Sequence, residues 1–356
     1  MNTRIFFFLL TFIPFAWAGK SFHTYAPSRS GECLLIVKAT PHGPNIRFGK
    51  PDRIALNFSA ATITAHPEKP IVYVSSNRDG LGAVVHLKED GRFASLQKVD
   101  LAHGYSYLSL DRANKFLLGN NYGGGQVDVY PIDDEGNIGE RTAFLDEGRT
   151  AAHCVWPSPD NRHVYIPYVK ASNALFQYGF NAKTGELTPL SPKNAQPPEG
   201  TGPRHMAYHP TKPMVYFSNE QSVGISSYNR KDNGQLIIRE VLDAFPKGTN
   251  LEGVSSSDII ITPDGRFLFV GIRGHKQGVD AIGRYAVDGN GGLNFLGRTP
   301  ADKVPWGLAL SPDGKHLLAT GFKAGTLMAF SISQQGELKR TGTLEWDANI
   351  SDLVTR

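Results

Sequence analysis

Four widely spaced residues, His153, Arg204, Glu220 and Arg273, carry the groups needed to open or close an ester-like bond. An imidazole or a carboxylate can take a proton from water as it attacks a carbonyl, an effect worth about 10²–10⁴ in rate. Two guanidinium groups can face the negative charge that gathers on the carbonyl oxygen, where losing one well-placed donor costs about 2.7–4 kcal/mol. The same residues can equally form satisfied salt bridges, with Arg204 or Arg273 paired to Glu220, and such pairs contribute little at a surface. Spacing alone leaves both readings open, so the question passes to the elements that carry these side chains.

Those elements belong to a repeat. Six segments pair a turn with a β-rich run: HPEKPIVYVSSN from His66, LDRANKFLLGNN from Leu110, SPDNRHVYIPYV from Ser158, HPTKPMVYFSNE from His209, TPDGRFLFVGIR from Thr262 and SPDGKHLLATGF from Ser311. Their second residues lie 44 to 53 positions apart. A second alternating run follows each, then an Asp/Asn/Gly-rich turn and a further short strand. Pro presets φ at the first turn and Gly accepts positive φ at the second, which makes both hairpin signals. Four short strands per unit is the pattern of β-propeller blades. The unassigned ends, about Ser21 to Ile54 and the tail TGTLEWDANISDLVTR, predict a seventh blade built from both termini. The expectation is an all-β, seven-bladed propeller spanning 19–356 as one domain.

The repeat sets a register. Counted from each turn, the sixth residue before it and the tenth after it fall at one end of a hairpin, because each arm climbs about 20 Å at roughly 3.3 Å per residue. That end is one mouth of the central channel. The earlier slot holds Ala61, Tyr105, His153, Arg204, Ser257 and Trp306; the later one holds Asn77, Asn121, Val169, Glu220, Arg273 and Phe322. The four candidate catalytic residues thus come from three successive blades at one rim. Tyr105, Asn121 and Trp306 share these slots and are the candidate substrate-binding residues. His66 and His209 sit in turns at the opposite end and are expected to build the hairpins. His205 follows Arg204 on a strand, so alternation predicts that it points to the other face. The run NNYGGGQVDV from Asn120 has no helix after it, so it reads as a tight connection near the mouth rather than a phosphate loop.

Composition narrows the function. A net charge of +4 with scattered basic residues gives no footprint for nucleic acid. The start MNTRIFFFLLTFIPFAWAGK has a basic residue, an apolar run from Ile5 to Phe15 and small residues at Ala16 and Ala18. This predicts a signal peptide over 1–18 with a new N-terminus at Gly19, hence a periplasmic or secreted protein without a membrane span after cleavage. Cys33 and Cys154 make no disulfide framework, and Cys154, in an apolar run, is expected as a buried free thiol. No ligand spacing suggests a metal, and no cofactor is expected.

At Gly202-Pro203-Arg204-His205, His209-Pro210 and Asn219-Glu220 the chain resembles the lactonase-family seven-bladed propellers, which include the propeller-type 6-phosphogluconolactonase and the fungal carboxymuconate lactonising enzyme. Asn120-Tyr122-Gly123-Gly124-Gly125, His153 before Ser158-Pro159-Asp160, and Thr262-Pro263-Asp264-Gly265 leading to Arg273 also match. The likeness spans nearly all of the mature chain and is weakest in the first fifty residues. It implies a channel-mouth site of one histidine, two arginines and a glutamate, falling on His153, Arg204, Glu220 and Arg273, with a small-molecule lactone as substrate. Two departures stand out. An acidic loop common in the group is replaced by YVKASN from Tyr168, and Trp306 stands where relatives similar to the phosphogluconolactonase have arginine. The expected reaction is hydrolysis of a sugar lactone, phosphorylated or, given export, unphosphorylated. A muconate-type cycloisomerase and a non-catalytic propeller that binds a ligand or protein are the alternatives, since fold does not fix function.

Overall fold

The computed structural model describes residues 19–347 and 349–356, and the predicted signal peptide lies outside them. Seven antiparallel sheets follow one another along the chain. Blades 1 to 6 are the six repeats, each a sheet of four strands in sequential order. Their first strands are Ala60–Ala65, Tyr107–Leu110, Trp156–Pro157, Pro203–Tyr208, Ser255–Ile261 and Pro305–Leu310. Blade 7 joins the termini: Val354–Thr355 supplies its first strand and pairs with Phe22–Ser28, which pairs in turn with Cys33–His42. The closure is locked by His23 N–H to the Arg356 carbonyl at 2.7 Å and Arg356 N–H to the His23 carbonyl at 2.9 Å. First strands pack one against the next around the channel, and Val354–Thr355 packs against both Pro305–Leu310 and Ala60–Ala65. The ring is closed by both termini, as the repeat count predicts.

Burial follows strand position. Second strands such as Ile71–Ser76, His163–Tyr168 and Met214–Asn219 are buried at every residue, because each blade is covered on both faces by its neighbours. Outer strands such as Phe93–Asp100 and Leu236–Asp243 are mostly exposed or half-buried, having only one paired edge. Among the described residues the apolar side chains form seven clusters, one in each gap between adjacent blades. A tyrosine recurs in these gaps. Tyr73, Tyr165 and Tyr216 donate their hydroxyls to the carbonyls of Gly136, Gly234 and Gly291, each in the outer turn of the following blade. Gly291 has φ 83°, and a Cβ there would lie 1.9 Å from Met214 Sδ. That turn therefore requires glycine both for its backbone and for its neighbour.

The hairpin turns are built as read. His66 Nδ1 accepts from the backbone of Glu68 and Lys69, and His209 Nδ1 from Thr211 and Lys212. Ser158, Thr262 and Ser311 do the equivalent work through Asp160, Asp264 and Asp313. Cys33 and Cys154 are buried and free.

Four first strands depart from simple alternation. A register shift adds one residue between Ala60 and Thr62, Pro203 and Met206, Ser256 and Ile259, and Pro305 and Leu308. A bulge of this kind re-aims side chains. All four face the same mouth.

Candidate active site

Arg204 and Glu220 are brought together by their hairpin, whose ends are tied by Glu220 N–H to the Gly202 carbonyl at 2.7 Å. Arg204 Nε lies 2.9 Å from Glu220 Oε2. Arg273 arrives from the next blade, at the end of Phe267–Arg273, and puts Nη2 3.2 Å from the same oxygen. His153 comes from the preceding blade, held by its backbone N–H to the Pro167 carbonyl at 3.0 Å, and its Nε2 is 3.9 Å from that oxygen. All four predicted residues therefore converge on one carboxylate oxygen.

They line a cavity of about 450 Å³ at the mouth of the channel. Arg204 is fully buried, and among the described residues neither of its terminal nitrogens has an acceptor. Arg273 Nη2 also donates to the Ser256 carbonyl, while its Nε has no partner among the described residues. Burial, and after it the neighbouring Arg204 charge, lowers the Arg273 pKa to about 10. Burial likewise drives His153 well below the usual histidine range, with Arg204 and His205 adding to the effect, so its ring is neutral. Trp306 floors the cluster: the Arg273 guanidinium lies 4.6 Å from its ring centre and that of Arg204 5.9 Å. The predicted salt bridges and the predicted site are thus the same object. The pairing exists, and buried guanidinium donors remain without an acceptor beside it.

Residues 50–348 match the family described as the lactonase, seven-bladed β-propeller family. The chain belongs to that family. It is 31% identical over 275 residues to a 6-phosphogluconolactonase of Pectobacterium carotovorum, covering 77% of this chain and 81% of that one. To a 6-phosphogluconolactonase of Cronobacter sakazakii it is 29% identical over 280 residues, covering 78% and 81%. Its fold is similar to that of the periplasmic gluconolactonase PpgL of Pseudomonas aeruginosa, with a TM-score of 0.83, 23% identity, and 94% and 99% of the two chains covered.

Two of the lactonase's sequence-predicted binding residues are placed elsewhere. Tyr105 is fully buried inside its blade, where its hydroxyl meets Asp128 Oδ2 and the Tyr130 hydroxyl, each at 2.7 Å. Its neighbour Ser106 takes the cavity position instead. Asn121 spends its side chain on the Asn-Tyr-Gly connection, donating to the Gly104 carbonyl at 2.9 Å and accepting from Gly124 N–H. Through that turn Tyr122 and Gly123 reach the cavity wall. Trp306 stands where the register predicts.

His205 is the third correction. Alternation sends it away from Arg204, but the bulge between Pro203 and Met206 lets both line the cavity. Its Nδ1 is 2.8 Å from Asp258 Oδ1, and its ring meets His153 edge-on at 5.0 Å. Asp258 Oδ2 accepts Leu308 N–H, so a carboxylate from the next blade holds the imidazole in place. Asp352, from the tail, forms part of the floor and accepts from Thr62 Oγ1 and Ile63 N–H. Burial raises Asp258 to about 6 and Asp352 to about 7, the two carboxylates adding mutual repulsion at Asp352. A sequence signal for this layer existed: the slot five before each turn holds both His205 and Asp258, unusual polar choices for a first strand. Arg29 and Lys170 also line the cavity. Lys170 belongs to the YVKASN loop and places a cation on the wall.

Proposed function

We propose that this lactonase opens a sugar δ-lactone to its aldonate at the cavity formed by His153, Arg204, Glu220 and Arg273. Neutral His153 takes the proton of the attacking water, and Glu220, close to its Nε2, stabilises the imidazolium that forms. The guanidinium groups of Arg204 and Arg273, both buried, face the carbonyl oxygen and stabilise the tetrahedral oxyanion. His205, clamped by Asp258, packs against His153 and keeps its ring from turning away. Trp306 offers an apolar face to the sugar ring. The observation that supports this reading most directly is the convergence of two arginines and a histidine on one oxygen of Glu220, with guanidinium donors left over.

Export belongs to the proposal and rests on the N-terminal pattern. A chain outside the cytoplasm would meet unphosphorylated sugar lactones, because phosphorylated ones do not diffuse through membranes. The test is acid release by the purified chain from gluconolactone and from 6-phosphogluconolactone, corrected for spontaneous hydrolysis. Release no faster than the spontaneous rate from both compounds would overturn the assignment. N-terminal sequencing of the chain recovered from the periplasm tests cleavage before Gly19.

A further inference from the structure

One half-buried cation in the cavity has no part in the cluster around Glu220. Arg29 stands in the turn after Phe22–Ser28 of the terminal blade, outside the six-fold repeat, and its side chain reaches across to the cavity wall. Nη2 donates to Ser351 Oγ at 2.9 Å, and Nε is buried with no partner among the described residues. Among the described residues no carboxylate lies within salt-bridge distance of it, unlike Arg204 and Arg273. Burial, and after it the Arg78 charge, lowers its pKa to about 10, with Arg204 adding to the effect and Asp352 opposing it. Keeping a guanidinium there, partly stripped of water and with no carboxylate in contact, is unfavourable unless something anionic arrives.

Its position relative to Trp306 says where that anion would sit. The Arg29 guanidinium is 6.0 Å from the Trp306 ring centre, and that of Arg273 is 4.6 Å from the same ring. The two cations are therefore within about 11 Å of each other, both beside the same indole. A compact lactone lying on Trp306 can present its carbonyl to Arg204 and Arg273 and its far substituent to Arg29. The balance of charge agrees: Arg29, Arg204, Arg273 and Lys170 face the cavity against Glu220 and a carboxyl, Asp352, that is only partly ionised at neutral pH.

We propose that Arg29 is a specificity-determining residue, forming with Trp306 a subsite for an anionic substituent, a carboxylate or a phosphate, on the lactone. The inference rests on the lactone-opening reading and sharpens its substrate class.

The test compares the parent with Arg29→Gln and Arg29→Lys on three lactones: neutral gluconolactone, the carboxylate-bearing glucarolactone, and 6-phosphogluconolactone. Arg29→Gln is expected to raise KM at least tenfold for one charged lactone with kcat little changed. It should alter kcat/KM for the neutral lactone less than twofold, and Arg29→Lys should recover part of the loss. Which charged compound responds tells carboxylate from phosphate. Equal losses on all three, or no change on any, would overturn the subsite. A binding measurement is independent of catalysis: calorimetry should show 6-phosphogluconate or glucarate binding the parent at least tenfold more tightly than gluconate, an advantage that Arg29→Gln abolishes. If the parent opens no lactone yet shows this Arg29-dependent advantage, the hydrolase reading fails and the subsite stands. If it opens lactones without any such advantage, the reverse holds.

Discussion

Arg204 and Glu220 stand 16 residues apart at the two ends of one hairpin, and Nε of the first meets Oε2 of the second at 2.9 Å. Because one hairpin holds both, the pair needs no neighbouring blade to form. Its chemical meaning comes from what other blades add to the same oxygen, Arg273 on one side and His153 on the other.

Arg204→Lys should therefore cost more than a charge-conserving change usually does. Lysine cannot reach Glu220 with one nitrogen while presenting two more in a planar fork. The expected loss is about 10²-fold or more in kcat/KM, the scale of removing an oxyanion donor. Steady-state kinetics on the preferred lactone checks it. A loss below threefold would place Arg204 outside the chemistry.

His153 should make the rate insensitive to mild acid. Its folded pKa lies well below 6.5 through burial and the Arg204 charge, so the ring stays neutral as pH falls from 8 to 6. Activity is expected to hold over that range and decline only lower down. Arg204→Gln removes one cause of the depression, so residual activity should fail at a higher pH. The same depressed pKa makes the unfolded chain bind the extra proton first, so His153 costs stability as pH drops below about 6.5. A kcat profile with its acid limb at or above pH 6.5 in the parent would contradict the assignment.

Asp352 acts on stability in the opposite sense. Its folded pKa is raised to about 7, above the roughly 3.9 of an unfolded carboxylate, so the folded chain holds the extra proton between those values. Its contribution is fully present in acid and is lost as pH rises from about 4 to 7. Asp352→Asn lacks this titration. The Tm of the variant minus that of the parent should therefore increase with pH across that window. A difference that is flat or falls with pH would refute it.

Removing Val354–Thr355 and Arg356 should open the ring. Phe22–Ser28 then loses its inner partner and exposes an unpaired, largely buried strand, a template for association. The expected result is a marked fall in Tm with concentration-dependent aggregation, followed by calorimetry and light scattering. A truncated chain with parental Tm would mean that closure does not depend on this pairing.

The repeat was readable because each blade solves the same problem locally. Turn residues recur at a spacing that fits four short strands, and the alternation of each hairpin places Arg204 opposite Glu220 and Arg273 on the next rim. Seven blades, closure from both ends and the gathering of the four catalytic candidates all follow from that periodicity. The errors lie where periodicity breaks. The period-two rule sends His205 away from the cavity, but one inserted residue between Pro203 and Met206 reverses it, and the polar choices at His205 and Asp258 are the one trace of that bulge layer in the residue types. Tyr105 fits a mouth position by count, yet Asp128 and Tyr130 offer its hydroxyl better partners inside the blade. Arg29 and Asp352 belong to the terminal segments, which carry no repeat from which to count. Local spacing thus settled which hairpins exist and which side chains share their ends, because strand geometry is a short-range property. Ring closure and the bulges settled which side chains face one cavity, because those depend on contacts between segments as far apart as Arg29 and Ser351.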